Sequence, residues 1–237
     1  MKRIICSIFC ISLFTIMLAA CNQRKNISKE EPPAIKNQRD SILENAAQKR
    51  NQWHQQLKQM NTEQLMAELS TESLREMESF NSSAFKELVS RGEKTADSVK
   101  NGITRNDRSS LLSLTALSII DMRTFQQVNN SLKADIFTDA FKQYKKFNAF
   151  GLPHVKWEDA AKAIIASGDT VKRALYPLLK DTSAAPVWGS EDYFEYQKYQ
   201  YRVCDYILGI VLFKEGKNTQ LPASREERDK MIDNFTR

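Results

Sequence analysis

The chain has 237 residues, a formal net charge of +6, 41% hydrophobic and 27% charged residues, seven glycines, six prolines and four cysteines. That length is enough for one large domain or an extended array with a continuous core, and the scarcity of glycine and proline favours helix over a strand-and-turn architecture. The positive charge is mild and spread along the chain, the pattern of a solvated surface rather than of a nucleic-acid interface.

Lys2 and Arg3 precede an almost wholly apolar run from Ile4 to Ala20, the basic and apolar regions of a secretory signal. Leu18-Ala19-Ala20-Cys21 resembles a bacterial lipobox. The resemblance implies cleavage before Cys21, a thioether-linked diacylglycerol on its sulfur and a further acyl chain on its amino group. Each buried methylene contributes about 0.8 kcal/mol, so two or three chains hold far more tightly than one. The alternative is an uncleaved transmembrane anchor, because the apolar run is near the lower limit for spanning a bilayer. Both readings leave the domain on a membrane. Asn22 resembles the signal for onward transport to the outer membrane in enteric bacteria, and Lys29-Glu30-Glu31 resembles the acidic surface-export tags of Bacteroidota lipoproteins. The expected location is the bacterial cell envelope and, in a Gram-negative cell, the outer membrane in preference to the inner. Loss of Lys2 and Arg3 lowers the net charge from +6 to +4. Cys6 and Cys10 leave with the signal and Cys21 is acylated, so Cys204 is the one remaining thiol, and the fold must rest on apolar packing rather than on disulfides.

Residues 21–39 are polar, carry Pro32-Pro33 and lack an apolar period, which predicts a flexible tether. From Asp40 onward the pattern is helical, and no run has the sustained period-two alternation of a half-buried strand. Ser41 to Met60 predicts one long helix with a broken stripe of Ile42, Leu43, Ala46, Trp53 and Leu57; Thr62 to Met77 predicts two short ones. Both segments, within 40–81, are weakly amphipathic and suit the capping end of an array. Helices then pair off from Ser82 to the C-terminus. Phe85, Leu88 and Val89 lead to Gly92, followed by Ala96, Val99 and Ile103. A second pair opens with an N-cap at Asn106 or Asp107, runs through Leu111 to Ile120, and has its partner at Leu132 to Phe147. The third has Trp157, Ala160, Ala161, Ile164 and Ile165 on one stripe, a stop at Gly168, then Val171, Ala174, Leu175, Leu178 and Leu179. Helices this short cannot bury their apolar faces alone and must stack.

Glu158 to Asp169, followed by Ala174 to Asp181, resembles a bacterial HEAT-type repeat, and Tyr201 to Val211 resembles the next first helix. Weaker echoes start at Phe85 and Leu111. The resemblance implies an all-α, HEAT-like α-solenoid of about four helix pairs over 82–237, with N-terminal capping helices, acting as a scaffold or interaction surface rather than as a catalyst. Two segments are longer than such a repeat requires: Asn148 to Lys156, and Thr182 to Tyr193 with Ala184-Ala185-Pro186-Val187-Trp188-Gly189-Ser190. Long connections in solenoids either carry function or form ordered edge packing.

The aromatics Trp157, Trp188, Tyr193, Phe194, Tyr196, Tyr199 and Tyr201 gather in these connections and the helices they introduce. Rings with polar tips are enriched at interfaces, so Trp157, Trp188, Tyr193, Tyr196, Tyr199 and His154 are the candidate binding residues. Several rings must be core, because Tyr196, Tyr199, Val203, Tyr206, Ile207 and Ile210 fall on one helical stripe. Ser190-Glu191-Asp192 fits an N-cap with acids in the first turn. Glu195, Lys198, Arg202 and Asp205 fit a surface ion-pair stripe, with Asp181 as another partner for Arg202. Lys142, Lys145 and Lys146 fit a solvated face. Cys204 could be a nucleophile with His54 or His154 as base, against its place in an apolar helix, where free cysteine behaves as a small hydrophobe. No His, Cys or carboxylate cluster has metal-ligand spacing, and no cofactor is expected. The function expected is therefore a membrane-tethered, non-enzymatic lipoprotein that binds a protein or peptide. The alternatives are an exported immunity or inhibitor lipoprotein directed at a toxin or hydrolase, or a thiol-dependent or glycan-acting enzyme.

Overall fold

The computed structural model describes residues 33–75, 82–103, 108–143, 147–153, 155–217 and 220–236. It is 77% helical, with twelve α-helices among the described residues, so the helical class expected from the sequence is the class observed. The helices are α1 (Pro33–Gln59), α2 (Thr62–Arg75), α3 (Ser83–Ser90), α4 (Ala96–Gly102), α5 (Arg108–Ile120), α6 (Met122–Gln127), α7 (Asn130–Gln143), α8 (Asp159–Ala166), α9 (Asp169–Leu175), α10 (Ser190–Tyr199), α11 (Val203–Lys214) and α12 (Arg225–Thr236). Two 3-10 segments, Gly92–Thr95 and Tyr176–Lys180, lead into α4 and continue α9. The signal segment, Cys21, Asn106, Asp107, Lys145, Lys146 and His154 lie outside the described residues.

The chain divides into two compact units, Met1–Trp53 and His54–Arg237. In the first, α1 begins at Pro33, ahead of the expected start at Asp40. Proline suits the first helical turn, where its missing N–H is not needed. Ile42, Leu43 and Ala46, from the broken stripe, are exposed. In the second unit, Thr62–Arg75 is a single helix rather than two.

Two helices rich in apolar residues and without a charged solvent-facing stripe are the innermost. Residues Ser110 to Leu117 of α5 are all buried, and the hydroxyl of Thr115 is satisfied by the carbonyl of Leu111 at 2.8 Å. Residues Val203 to Leu212 of α11 are also all buried. Around α5 pack α2, α3, α4, α6, α7 and α8; α11 packs on α8 and on the 3-10 segment after α9; α7 packs on α9. Fully burying one such Leu, Ile or Val side chain stabilises by about 1.5–3 kcal/mol, which is why these helices dominate the core.

The helix ends are joined by basic side chains. An α-helix leaves its last carbonyls without internal partners and carries partial negative charge there. Arg91 donates to the carbonyls of Leu57 (2.8 Å) and Met60 (2.6 Å) at the end of α1. Buried Lys133 reaches those of Phe125 (3.3 Å) and Gln126 (3.4 Å) at the end of α6, its ammonium 4.8 Å from the Phe125 ring centre. Lys214 donates to Ile165 (2.7 Å) and Ser167 at the end of α8. Arg228 donates to Tyr199 (2.8 Å) at the end of α10.

Three expectations are corrected. Trp157 is not on the helix it was expected to open: Lys156–Trp157 (β2) pairs antiparallel with Gly151–Leu152 (β1), a two-residue hairpin where none was expected. Gly151 permits it, with φ at +79° and the carbonyl of Lys156 2.1 Å from where a Cβ would stand. The partner expected over Leu132–Phe147 is preceded by a separate helix, α6, whose N-cap Asp121 accepts from the backbone of Arg123. The stripe from Tyr196 to Ile210 is two helices. The chain turns through a left-handed Gln200 (φ 48°), because residues 201–203 are drawn into extended pairing: Ala185 N donates to Tyr201 O (2.9 Å) and Val203 N to Ser183 O (3.0 Å).

Candidate functional site

The same extended pairing aims the long connection before α10. Ala185 and Val187 point into the core, and Trp188, at the alternate position, points out and is 51% exposed. The segment is clamped on its other side. Phe147 N donates to Pro186 O (2.8 Å), while Trp188 N donates to Oδ1 of Asn148 (3.1 Å) and the Asn148 amide donates back to Trp188 O. Gly189, at φ +127°, turns the chain into α10 and is its N-cap, so the cap lies one residue before the expected Ser190. Tyr193 N donates to Gly189 O (3.0 Å), which brings the Tyr193 ring over Trp188 with centroids 6.2 Å apart and planes at 18°. Tyr193 is 38% exposed and Phe194, next to it, 77%. Three aromatic side chains on a backbone held by hydrogen bonds therefore form an outward ridge.

The other candidate aromatics face inward or lie half-buried. Tyr206 donates to Gly151 O at 2.7 Å and sits among Phe141, Phe147 and Phe150. Trp157 is half-buried, its ring edge-on to Tyr206 and fitted against Gly209 of α11, where a Cβ would come within 3.1 Å of it. Tyr199 stacks on buried Tyr201 at 5.2 Å, and Tyr196 is half-buried, its phenol pushed up by burial and by neighbouring Tyr193. The structure thus brings together Trp188 and Tyr193 from the expected set and places Trp157 and Tyr199 with the core. Phe194 belonged to the aromatic cluster seen in the sequence but not to the residues singled out from it for binding. Its helical neighbours Ser190, Glu191, Gln197 and Lys198 are all polar, so an outward ring was legible there.

Arg202 and Asp205, expected on a surface stripe, are buried. Oδ2 of Asp205 accepts from the backbone N–H (2.9 Å) and Nε (3.2 Å) of Arg202, and Oδ1 accepts from its Nη2 at 3.0 Å. Nε of Arg228 lies 3.0 Å from Oδ1, close enough for an ion pair but off the line of a hydrogen bond. Asp229, half exposed, takes the remaining reach of Arg202 at 2.7 Å. Burial opposes the charge on Arg202, and the hydrogen bonds to Asp205 and Asp229 outweigh it, holding its pKa above the usual range. Asp181 pairs with Ser183 rather than with Arg202, and its carbonyl accepts from Cys204 N at 2.9 Å. The network fixes the start of α11 to α12 and leaves no open face for a ligand.

Cys204 is 1% exposed, and burial, aided by the nearby Asp205 carboxylate, pushes its thiol up to about 12. A thiol held protonated is a poor nucleophile, and His54 lies exposed on α1. Among the described residues no group of three or more His, Cys, Asp or Glu could hold a metal ion, and no helix is long and apolar enough to cross a membrane. Lys142 is exposed and lies 3.9 Å from Asp139. A polar cleft is lined by Lys58, Thr62, Glu87, Arg91 and Lys94, of which Arg91 is already committed to Glu87 and the end of α1. No protein-family model matches the chain, and neither a curated protein nor a solved structure matches it.

Proposed function

We propose that the chain is a bacterial lipoprotein, anchored through acylated Cys21, whose HEAT-like helical array binds a protein or peptide at the cell envelope without chemistry of its own. The observation that carries the binding reading is the ridge of Trp188, Tyr193 and Phe194, exposed on a backbone pinned by Asn148 and Phe147. Free surfaces seldom hold three large rings together, and aromatic side chains on rigid backbone make effective anchors because little conformational entropy is lost on docking. The array reading is supported by the contacts of successive first helices, α3 with α5, α5 with α8 and α8 with α11, and of α7 with α9 beside them. A solenoid has this nearest-neighbour pattern. The anchor reading is supported by the Lys2-Arg3 start, the apolar run and Leu18-Ala19-Ala20-Cys21.

Two measurements test the proposal. A photoreactive residue at Phe194, in cells expressing the full chain, is expected to crosslink one discrete partner, and Trp188→Ala should abolish that adduct; the same probe at exposed Ile119 should give none. Equal adducts from both positions would sink the binding reading. Cys21→Ala is expected to abolish labelling by a fatty-acid analogue, and unchanged labelling would sink the anchor.

A further inference from the structure

The ridge is rimmed by acids in a chain that is otherwise basic. Helix α10 carries Glu191, Asp192 and Glu195 against Lys198 alone, whereas the chain as a whole has a net charge of +6. Asp192 is exposed directly before Tyr193, and half-exposed Glu195 directly follows Phe194. The one base of the helix, Lys198, is turned to the Tyr199 ring, its ammonium 5.1 Å from the ring centre, and so is directed to a ring outside the ridge. The face of an aromatic ring carries partial negative charge and attracts cations, guanidinium planes most of all. A purely apolar partner would desolvate Asp192 and Glu195 at a cost, although Lys156 lies within electrostatic reach of Asp192, and an anionic lipid headgroup would be repelled by the two acids.

We infer that the ridge, on the binding reading above, takes an arginine-bearing segment of a partner protein. The guanidinium planes and aliphatic stems lie on Trp188, Tyr193 and Phe194, and the charges lie toward Asp192 and Glu195. Acidic residues beside the rings then set specificity and speed the encounter, while the rings set how long the segment stays.

The test uses the full acylated chain in nonionic micelles and fluorescence anisotropy with labelled Arg-Gly-Arg-Gly-Arg-Gly, alongside versions carrying citrulline or glutamate in place of arginine. The arginine peptide is expected to bind at least tenfold more tightly than either, with a preference that shrinks as salt rises. Asp192→Lys combined with Glu195→Lys should erase the preference, Asp192→Asn should reduce it, and Phe194→Ala should weaken the arginine peptide about tenfold with an unchanged thermal melt. Equal binding of arginine and glutamate peptides, both weakened by Phe194→Ala, would overturn the cationic inference and leave the binding reading standing. Flotation with zwitterionic phosphatidylcholine vesicles that depends on Phe194, with no peptide bound, would overturn both in favour of a lipid-facing ridge. Arginine-peptide binding indifferent to Trp188→Ala and Phe194→Ala would also overturn both.

Discussion

Replacing Asp205 by alanine should be among the most damaging single changes in the protein. Its carboxylate is fully buried and receives the side chain and backbone N–H of Arg202 and the approach of Arg228, both arginines being buried too. Without it, two guanidinium charges remain in the interior; Arg228 keeps only the carbonyls of Tyr199, Pro222 and Ala223, and the one counter-charge left is Asp229 on Arg202, half in solvent. Breaking a buried ion pair by removing one partner costs about 3–5 kcal/mol, and the N–H of Arg202 also loses its acceptor. Against a domain stability of about 5–15 kcal/mol this removes a fifth or more. For a unit of this size it corresponds to a fall in Tm of roughly 6–20 °C. Urea titration followed by far-ultraviolet circular dichroism should show a lower midpoint with an unchanged slope. Asp229→Ala, on an exposed partner, should cost only about 0–1 kcal/mol. Replacing Arg202, Asp205 and Arg228 together by Met, Leu and Met should recover most of the loss, since no charge is then stranded. A fall of under about 1 kcal/mol for Asp205→Ala would refute the account of the network as a closed, mutually neutralising unit.

Gly151→Ala should destabilise by at least about 2 kcal/mol in denaturant titration, because a Cβ meets backbone there, whereas Gly216→Ala, equally left-handed but in open space, should cost only about 1 kcal/mol. Equal losses would refute the hairpin clash. Cys204 should resist a thiol reagent at pH 8 in the native chain and react stoichiometrically in denaturant; rapid native labelling would contradict its burial. Its raised pKa gives native stability that is complete below the unfolded value near 9 and lost as pH rises towards about 12. The stability of the wild type relative to Cys204→Ala should therefore decline over that window. Lys133 has the opposite sign. Burial lowers its pKa, so the unfolded chain binds the extra proton, and the destabilisation it causes fades as pH approaches the ordinary lysine value of 10.5. The difference between wild type and Lys133→Met should move in the wild type's favour over that approach, and a flat difference would remove the lysine from the titration.

What the sequence made legible was whatever depends on local periodicity. The buried helices α5 and α11 are visible as apolar runs, and Ser82 is visible as the start of the paired helices, its hydroxyl accepting from Phe85 N at 2.9 Å. The misread positions are those where a distant partner decided the backbone. Tyr196 to Ile210 has an unbroken helical stripe, and only Ser183 and Ala185, arriving from the preceding loop, pull residues 201–203 out of the helix. Arg202 and Asp205 have the spacing of a surface pair, yet they lie buried with Arg228 against Asp205, a neighbour that no periodicity encodes. The ridge was half legible for the same reason. The outward face of Trp188 follows from the register of an extended segment paired to residues 201–203, whereas Phe194 could have been read from its polar neighbours alone.

The basic side chains that plug the helix ends have a consequence for how the domain comes apart. A short helix normally frays from its C-terminus, because the last carbonyls exchange a weak internal bond for water at little cost. Here the stopper for α8 is Lys214 on α11 and that for the end of α1 is Arg91 after α3, residues well removed along the chain. Releasing the last turn of one helix therefore strands an ammonium or guanidinium held by another, so local opening is converted into a shared event. Short segments that would each be marginal alone are made to open and close together, and the ridge before α10 rides on a frame whose joints are locked from a distance.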